Sequence, residues 1–154
     1  MLNKKIKLIK GTKTTFKIIM GPFQNVYQKS YRKLLKEHRG NNRIQYFFVK
    51  DINNEVIGYM YYRYEKRFNA FEIGGAIIPD KRSRGYGYMA HRILIDFLFR
   101  KKKAQRIQAI VSVKNLSEIK ILKRCSFDFE GKLKKAGRVG SKMYDLAIFG
   151  ILKN

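Results

Sequence analysis

One cysteine, two prolines, no tryptophan and only 11 acidic side chains occur in these 154 residues. Each shortage excludes something. The lone Cys125 cannot close an intrachain disulfide or build a cysteine-based zinc cage. The two histidines and the scattered carboxylates show no metal-ligand spacing, so no metal is expected. No Pro/Ser-rich tract or repeat divides the chain, and one domain spanning residues 1–154 is the expectation. Apolar stretches such as Ile18–Met20 and Ala147–Leu152 are far too short for a bilayer span. Lys7, Lys10, Lys13 and Lys17 interrupt any leader-like run near the start, so a cytoplasmic location is expected.

What is abundant is positive charge. Thirty-five lysines and arginines give a formal net charge of +24, and Glu37 is the only acidic residue before Asp51. Such a field attracts phosphates, nucleic acid or acidic protein. Hydrophobic residues make up 45% of the chain, too many for a disordered basic tail. No aromatic-basic signature of a common RNA module is present. An acidic or nucleic-acid partner therefore stays open without being named.

Periodicity orders the chain. Thr14–Met20 alternates as a strand, Gly21-Pro22 breaks it, and a helical rhythm runs from Phe23 to His38. Arg43–Lys50 and Val56–Tyr64 read as a hairpin across a turn-rich segment, with Tyr59–Tyr64 either core or an interface. Ala70–Ile78 is a strand stopped by Pro79. A helix from Gly85 to Arg100 is expected to bury Met89, Ile93, Leu94, Phe97 and Leu98. A strand at Arg106–Val113 and a short helix at Leu116–Arg124 follow. Strands at Phe127–Leu133 and Lys142–Leu152 close the chain around a turn at Ala136–Gly140. The expected fold class is α/β, with a mixed, largely antiparallel sheet flanked by helices.

The chemistry-bearing stretch is Ile77-Ile78-Pro79-Asp80-Lys81-Arg82-Ser83-Arg84-Gly85-Tyr86-Gly87. A strand ends, a basic loop follows, and two glycines open a helix. First-turn amides and the positive end of the helix dipole suit a diphosphate, which glycines let approach and arginines neutralise. A plain glycine turn beside a solvated basic loop is the competing reading. A Rossmann motif lacks its third glycine, and a Walker loop lacks Gly-Lys-Ser/Thr.

Arg82-Ser83-Arg84-Gly85-Tyr86-Gly87 resembles the acetyl-CoA loop of the Gcn5-related N-acetyltransferase (GNAT) superfamily. Val111–Asn115, the helix to Arg124, Cys125-Ser126-Phe127, Phe129-Glu130-Gly131 and Tyr144-Asp145-Leu146 resemble its Rim-type, ribosomal-protein acetyltransferase-like branch. The resemblance covers roughly Phe71 to the C-terminus. It implies acetyl-CoA as cosubstrate, in a cleft where two strands splay apart. Main-chain groups of Ile77 and Ile78 would pair with the pantetheine arm. Backbone amides across Arg82, Ser83, Arg84, Gly85, Tyr86, Gly87 and Tyr88 would hold the diphosphate. Asn115 would contact the pantetheine or place the thioester. Bulk at Gly85 or Gly87 is then expected to block the cofactor and spare the fold. The sequence departs from the branch at Ser126, where Gly precedes Phe, and at Glu118, where Ser is frequent. Leu122 replaces a tyrosine acid and Ile110 replaces a carboxylate.

The remaining candidates are weighed individually. Glu72 is either a base facing the cleft or an exposed carboxylate paired with a lysine. Tyr144 is either an acid or an ordinary half-buried tyrosine. His91 is expected at the surface or paired with a partner, and Cys125 in the core. The implied activity is direct acetyl transfer to a primary amine, with a protein N-terminus as the expected acceptor. A nucleotide-linked amino sugar or other small amine is the alternative, and a polycationic acceptor is disfavoured by the net charge. From another class, an inactive RNA- or ribosome-binding module remains. Monomer and homodimer both stay open.

Overall fold

The computed structural model describes residues 5–11 and 44–154. The strand expected at Thr14–Met20, the helix expected from Phe23 and His38 lie outside those residues. Seven strands are described: β1 (Ile6–Lys10), β2 (Ile44–Asp51), β3 (Val56–Glu65), β4 (Ala70–Ile77), β5 (Arg106–Ser112), β6 (Asp128–Val139) and β7 (Lys142–Leu152). Two α-helices are described, α1 (Tyr86–Lys101) and α2 (Leu116–Arg124). The strands form one sheet in the order β1-β2-β3-β4-β5-β7-β6. Every neighbouring pair is antiparallel except β4 with β5, which are parallel.

The β2–β3 hairpin forms as its turn chemistry requires. Asp51 Oδ1 accepts from the amides of Asn53 and Glu55, each at 3.0 Å, and Asn54 takes the left-handed backbone the turn needs. Along β3, Ile57, Met60 and Tyr62 are buried in the core, while Tyr59 and Tyr61 on the other face are half-buried and Tyr64 is exposed. Phe97 of α1 packs edge-on to Phe47, ring centres 5.6 Å apart, and lies beside Tyr62. One core joins these residues to Leu94, Leu98, Ile107, Leu122 and Phe149.

Three expectations need correction. β1 was not anticipated, because Lys5, Lys7 and Lys10 obscure its short alternation; the strand pairs antiparallel with β2. The closing hairpin is longer than expected. β6 continues to Val139, so its turn sits at Gly140, with register shifts absorbing Ala136 and its neighbours. On α1 the fully buried residues are Ala90, His91, Leu94, Ile95 and Leu98, whereas Met89, Ile93 and Phe97 are only partly covered. A helix lying between a sheet and a second helix buries a wider arc than a single stripe.

Candidate active site

The sheet opens between β4 and β5. Their pairing is confined to Phe71 with Ile107 and Glu72 with Gln108. Beyond it β4 runs on to Ile77 and β5 to Ser112 without pairing to each other, while their outer neighbours stay paired. The Ile78 amide donates to the Ile57 carbonyl at 2.9 Å. Alternation along an antiparallel ladder then turns the main-chain groups of Ile73, Gly75 and Ile77 toward the gap. A slot edged by backbone groups that the β3 ladder does not use results. Of the two residues expected to offer main chain there, Ile78 has its amide committed to β3, and Ile77 faces the gap. The Ile77 carbonyl already accepts from Arg82 Nε at 2.9 Å.

That contact changes the reading of the basic loop. Pro79–Lys81 forms a 3-10 turn, with Lys81 and Arg82 amides returning to the carbonyls of Ile78 and Pro79. Lys81 Nζ reaches Glu55 Oε2 at 3.0 Å and Asp51 Oδ2 at 3.6 Å, tying the loop to the β2–β3 turn. Arg82 braces the loop through Ile77, while Arg84 stands exposed. Ser83 and Gly85 both have positive φ, at 59° and 80°. Gly85 therefore starts α1 at a conformation that glycine adopts without strain. No side chain caps α1, which leaves the amides of Tyr86, Gly87 and Tyr88 free of intrahelical partners.

Gly87 has a second duty. A Cβ built there would stand 2.9 Å from Ile121 Cδ1 of α2 and 4.0 Å from Ile77 Cγ1. Bulk at Gly87 therefore also meets α2, where the end of the Ile121 side chain would have to shift, and this glycine lets α1 approach α2 closely. Arg124 of α2 also lies over the Tyr88 ring, 4.3 Å from its centre.

Asn115 is the N-cap of α2, its Oδ1 accepting from the Glu118 amide at 3.2 Å. The helix ends on Ser126 at φ 66°, with the Phe127 amide bonded to the Leu122 carbonyl and the Ser126 amide to that of Lys123. The tight turn is thus kept without the usual glycine. Cys125 is buried, and burial pushes its thiol up to about 11, so it is no nucleophile at neutral pH.

Glu72 sits at the closed end of the slot. It is buried at 7% exposure, and its Oε1 pairs with Arg63 Nη2 at 2.9 Å, so an exposed, lysine-paired carboxylate is ruled out. Tyr144 is half-buried, its ring lying flat against Gly137 of β6. The structure therefore gathers Ile77, the Arg82–Tyr88 loop and the α2 cap at the open end. Glu72 lies five residues back along β4, about 17 Å.

Sequence reasoning missed the link between those helix starts. His91 is 2% exposed, with Nδ1 2.9 Å from the Gly87 carbonyl oxygen and Nε2 2.8 Å from Glu118 Oε1. The available signal was a titratable residue within an apolar helical rhythm, together with Glu118 where relatives carry Ser. Among the described residues no cluster of three or more His, Cys, Asp or Glu could hold a metal ion, and no helix is long and apolar enough to cross a membrane.

A family model described as an acetyltransferase (GNAT) domain matches residues 4–148. A Bacillus subtilis protein named uncharacterized N-acetyltransferase YnaD is 21% identical over 127 residues, covering 82% of this chain and 74% of its own. The fold is similar to the dodecameric structure of spermidine N-acetyltransferase from Vibrio cholerae, at 18% identity and a TM-score of 0.79, covering 97% of this chain and 95% of that one. A mutant form of the same enzyme, SpeG, superposes with a TM-score of 0.81 at 18% identity, with the same coverage. With a family match spanning nearly the whole chain and a parallel strand pair that splays beside an uncapped helix start, the chain belongs to the GNAT acetyltransferase family and is an acetyl-CoA-dependent N-acetyltransferase.

Proposed function

We propose that this enzyme acetylates the primary amine of a small molecule, with the β4–β5 slot as its acetyl-CoA site. The observation that carries the site is the loss of pairing beyond Glu72 and Gln108. An extended arm bearing amides, as pantetheine does, fits a slot whose edge offers backbone groups of Ile73, Gly75 and Ile77. Free amides of Tyr86, Gly87 and Tyr88 and the positive end of α1 suit a diphosphate. Arg84 adds charge there, and Arg82 holds the loop in place. Bound acetyl-CoA supplies an activated thioester.

The chain's own residues then have three tasks. The slot and loop orient the cosubstrate, which brings the acetyl carbon within reach of a bound amine. Backbone donors polarise the thioester carbonyl as the tetrahedral intermediate forms. Glu72, one oxygen fixed by Arg63, takes the amine's proton through its other oxygen, directly or through water. Asn115 acts as the α2 cap and so positions the slot's rim. Tyr144, packed on Gly137 and about 20 Å along β7 from the level of Glu72, is too far away to serve the same thioester, so the departing CoA thiolate takes its proton from water.

A small acceptor is favoured over a protein N-terminus because similar folds belong to proteins named as spermidine N-acetyltransferases. Spermidine itself is a polycation, and the arginines 63, 82 and 84 around the slot suit an acceptor with fewer positive charges, such as a nucleotide-linked amino sugar. The test follows release of CoA thiol with a nucleotide-linked amino sugar, spermidine and a free-N-terminus peptide as acceptors. Turnover with the amino sugar well above the other two is expected. Turnover with the peptide alone would overturn the small-acceptor reading. Thermal melting with CoA and an RNA oligonucleotide separates the enzyme from an inactive RNA-binding module, since only the former shifts with CoA.

A further inference from the structure

The helices bordering the slot are joined by one buried charged contact. The Gly87 carbonyl can only accept, so His91 Nδ1 carries a proton. A bare Nε2 lone pair 2.8 Å from the Glu118 carboxylate would repel it, so a proton lies between Nε2 and Glu118, and on the ring it makes an imidazolium facing a carboxylate. Nε2 is buried and makes no hydrogen bond of good geometry, so the attraction is that of opposite charges across a short gap. Burial lowers the His91 pKa, but Glu118 and the Gly87 carbonyl outweigh it and the net shift is upward.

Glu118 is the third residue of α2, a place from which a carboxylate often returns to the N-cap amide. Here the Asn115 amide is already bonded to the Ser112 carbonyl at 2.9 Å, and Asn115 Oδ1 accepts from the Glu118 amide. The carboxylate is free to turn toward α1. Both ends of the contact thus fall in first turns, that of α1 at Gly87 and that of α2 under its Asn115 cap.

We propose that His91 and Glu118 are positioning residues for the acetyl-CoA slot, an ion-paired clamp that sets the start of α1 against the start of α2 before the cosubstrate arrives. Neither side chain touches acetyl-CoA; they act through Gly87 and Asn115. Presetting the two helix starts removes an ordering cost from binding. The inference rests on the acetyl-CoA reading of the slot.

The test combines acetyl-CoA calorimetry with ligand-free thermal melting on wild type, Glu118→Gln and the double variant His91→Leu/Glu118→Leu. Glu118→Gln keeps size and removes charge. The double variant fills the same space with apolar groups, which often preserves or raises stability. The dissociation constant for acetyl-CoA is expected to rise about tenfold in both, as coupled neighbours typically allow, while the double variant melts at or above wild type. A role in stability alone would restore affinity along with the melting temperature. Wild-type affinity in the folded double variant, or in folded Glu118→Gln should the double variant fail to fold, overturns the clamp. A wild type that does not bind acetyl-CoA overturns the slot assignment itself, and the two failures are distinct.

Discussion

The two ends of the slot are built on different principles. At the open end the groups on offer are main chain: Ile77, the uncapped amides of α1, and a loop braced by Arg82 and Lys81. At the closed end, side chains meet across strands, with Arg63 on β3 holding Glu72 on β4 beside Gln108 on β5. A backbone site depends on the path of the chain and tolerates many side chains. A side-chain site depends on identity. If Glu72 takes the proton as proposed, Leu122 and Ile110 need supply no acid or carboxylate of their own.

The contrast breaks or holds first at Glu72. Glu72→Gln is expected to lower turnover by about 10²–10⁴-fold at neutral pH, the usual range for a general base, while leaving acetyl-CoA affinity in place. Raising the pH should restore part of the rate, since more of the acceptor amine is already neutral. A pH–rate profile unchanged from wild type would remove Glu72 from proton transfer. Gly87→Val should show the opposite pattern. Its side chain runs into Ile121, so about 1–3 kcal/mol of stability and about tenfold or more in acetyl-CoA affinity should go together. Adding Ile121→Ala makes room for the new methyls, and recovery of the melting temperature in the pair would locate the clash.

The same contrast decides what was readable beforehand. Glycine spacing after a strand, with Pro79 and two arginines, marks a main-chain site because backbone demands leave a residue-type trace. Helix α2 was legible to the residue, since Asn115 is its cap and the apolar spacing of Ile119 and Leu122 is clean. Contacts between elements leave no such trace. Nothing in β3 alone says that Arg63 lies opposite Glu72, and nothing in α1 alone says that His91 will find Glu118. The double role of Gly87 was hidden for the same reason: the phosphate explanation was local, and the packing one required α2. Lys81 and Arg82 read as free charge in the sequence, yet their partners lie on the β2–β3 turn and on Ile77.

A smaller effect is expected where a side-chain identity opposes a backbone demand. Ser126 holds φ 66° at the end of α2, between a buried Leu122 and a buried Phe127 that close the turn. A non-glycine residue in the left-handed region costs roughly 1–2 kcal/mol. Ser126→Gly also gives freedom to the unfolded chain, which takes part of that gain back. A net gain of about 1 kcal/mol, read as a higher melting temperature with unchanged acetyl-CoA affinity, is the expected result. A lower melting temperature would mean that the serine has a role beyond the turn.

The smallest effect concerns pH and the contact between the helices. His91 is raised above its ordinary value of 6.5 in the folded chain, despite burial, by Glu118 and the Gly87 carbonyl. A group with a raised folded pKa contributes stability that is complete below its unfolded pKa and disappears as pH climbs through the folded one. Wild type should therefore lose melting temperature as pH rises above about 6.5, and His91→Leu/Glu118→Leu should lose less over the same range. Cys125 on the α2 side does not mimic this, because burial pushes its thiol up to about 11. Parallel pH dependence in the two proteins would mean that the folded pair holds no proton beyond the one on His91 Nδ1, and the link between the two helix starts would then carry no imidazolium.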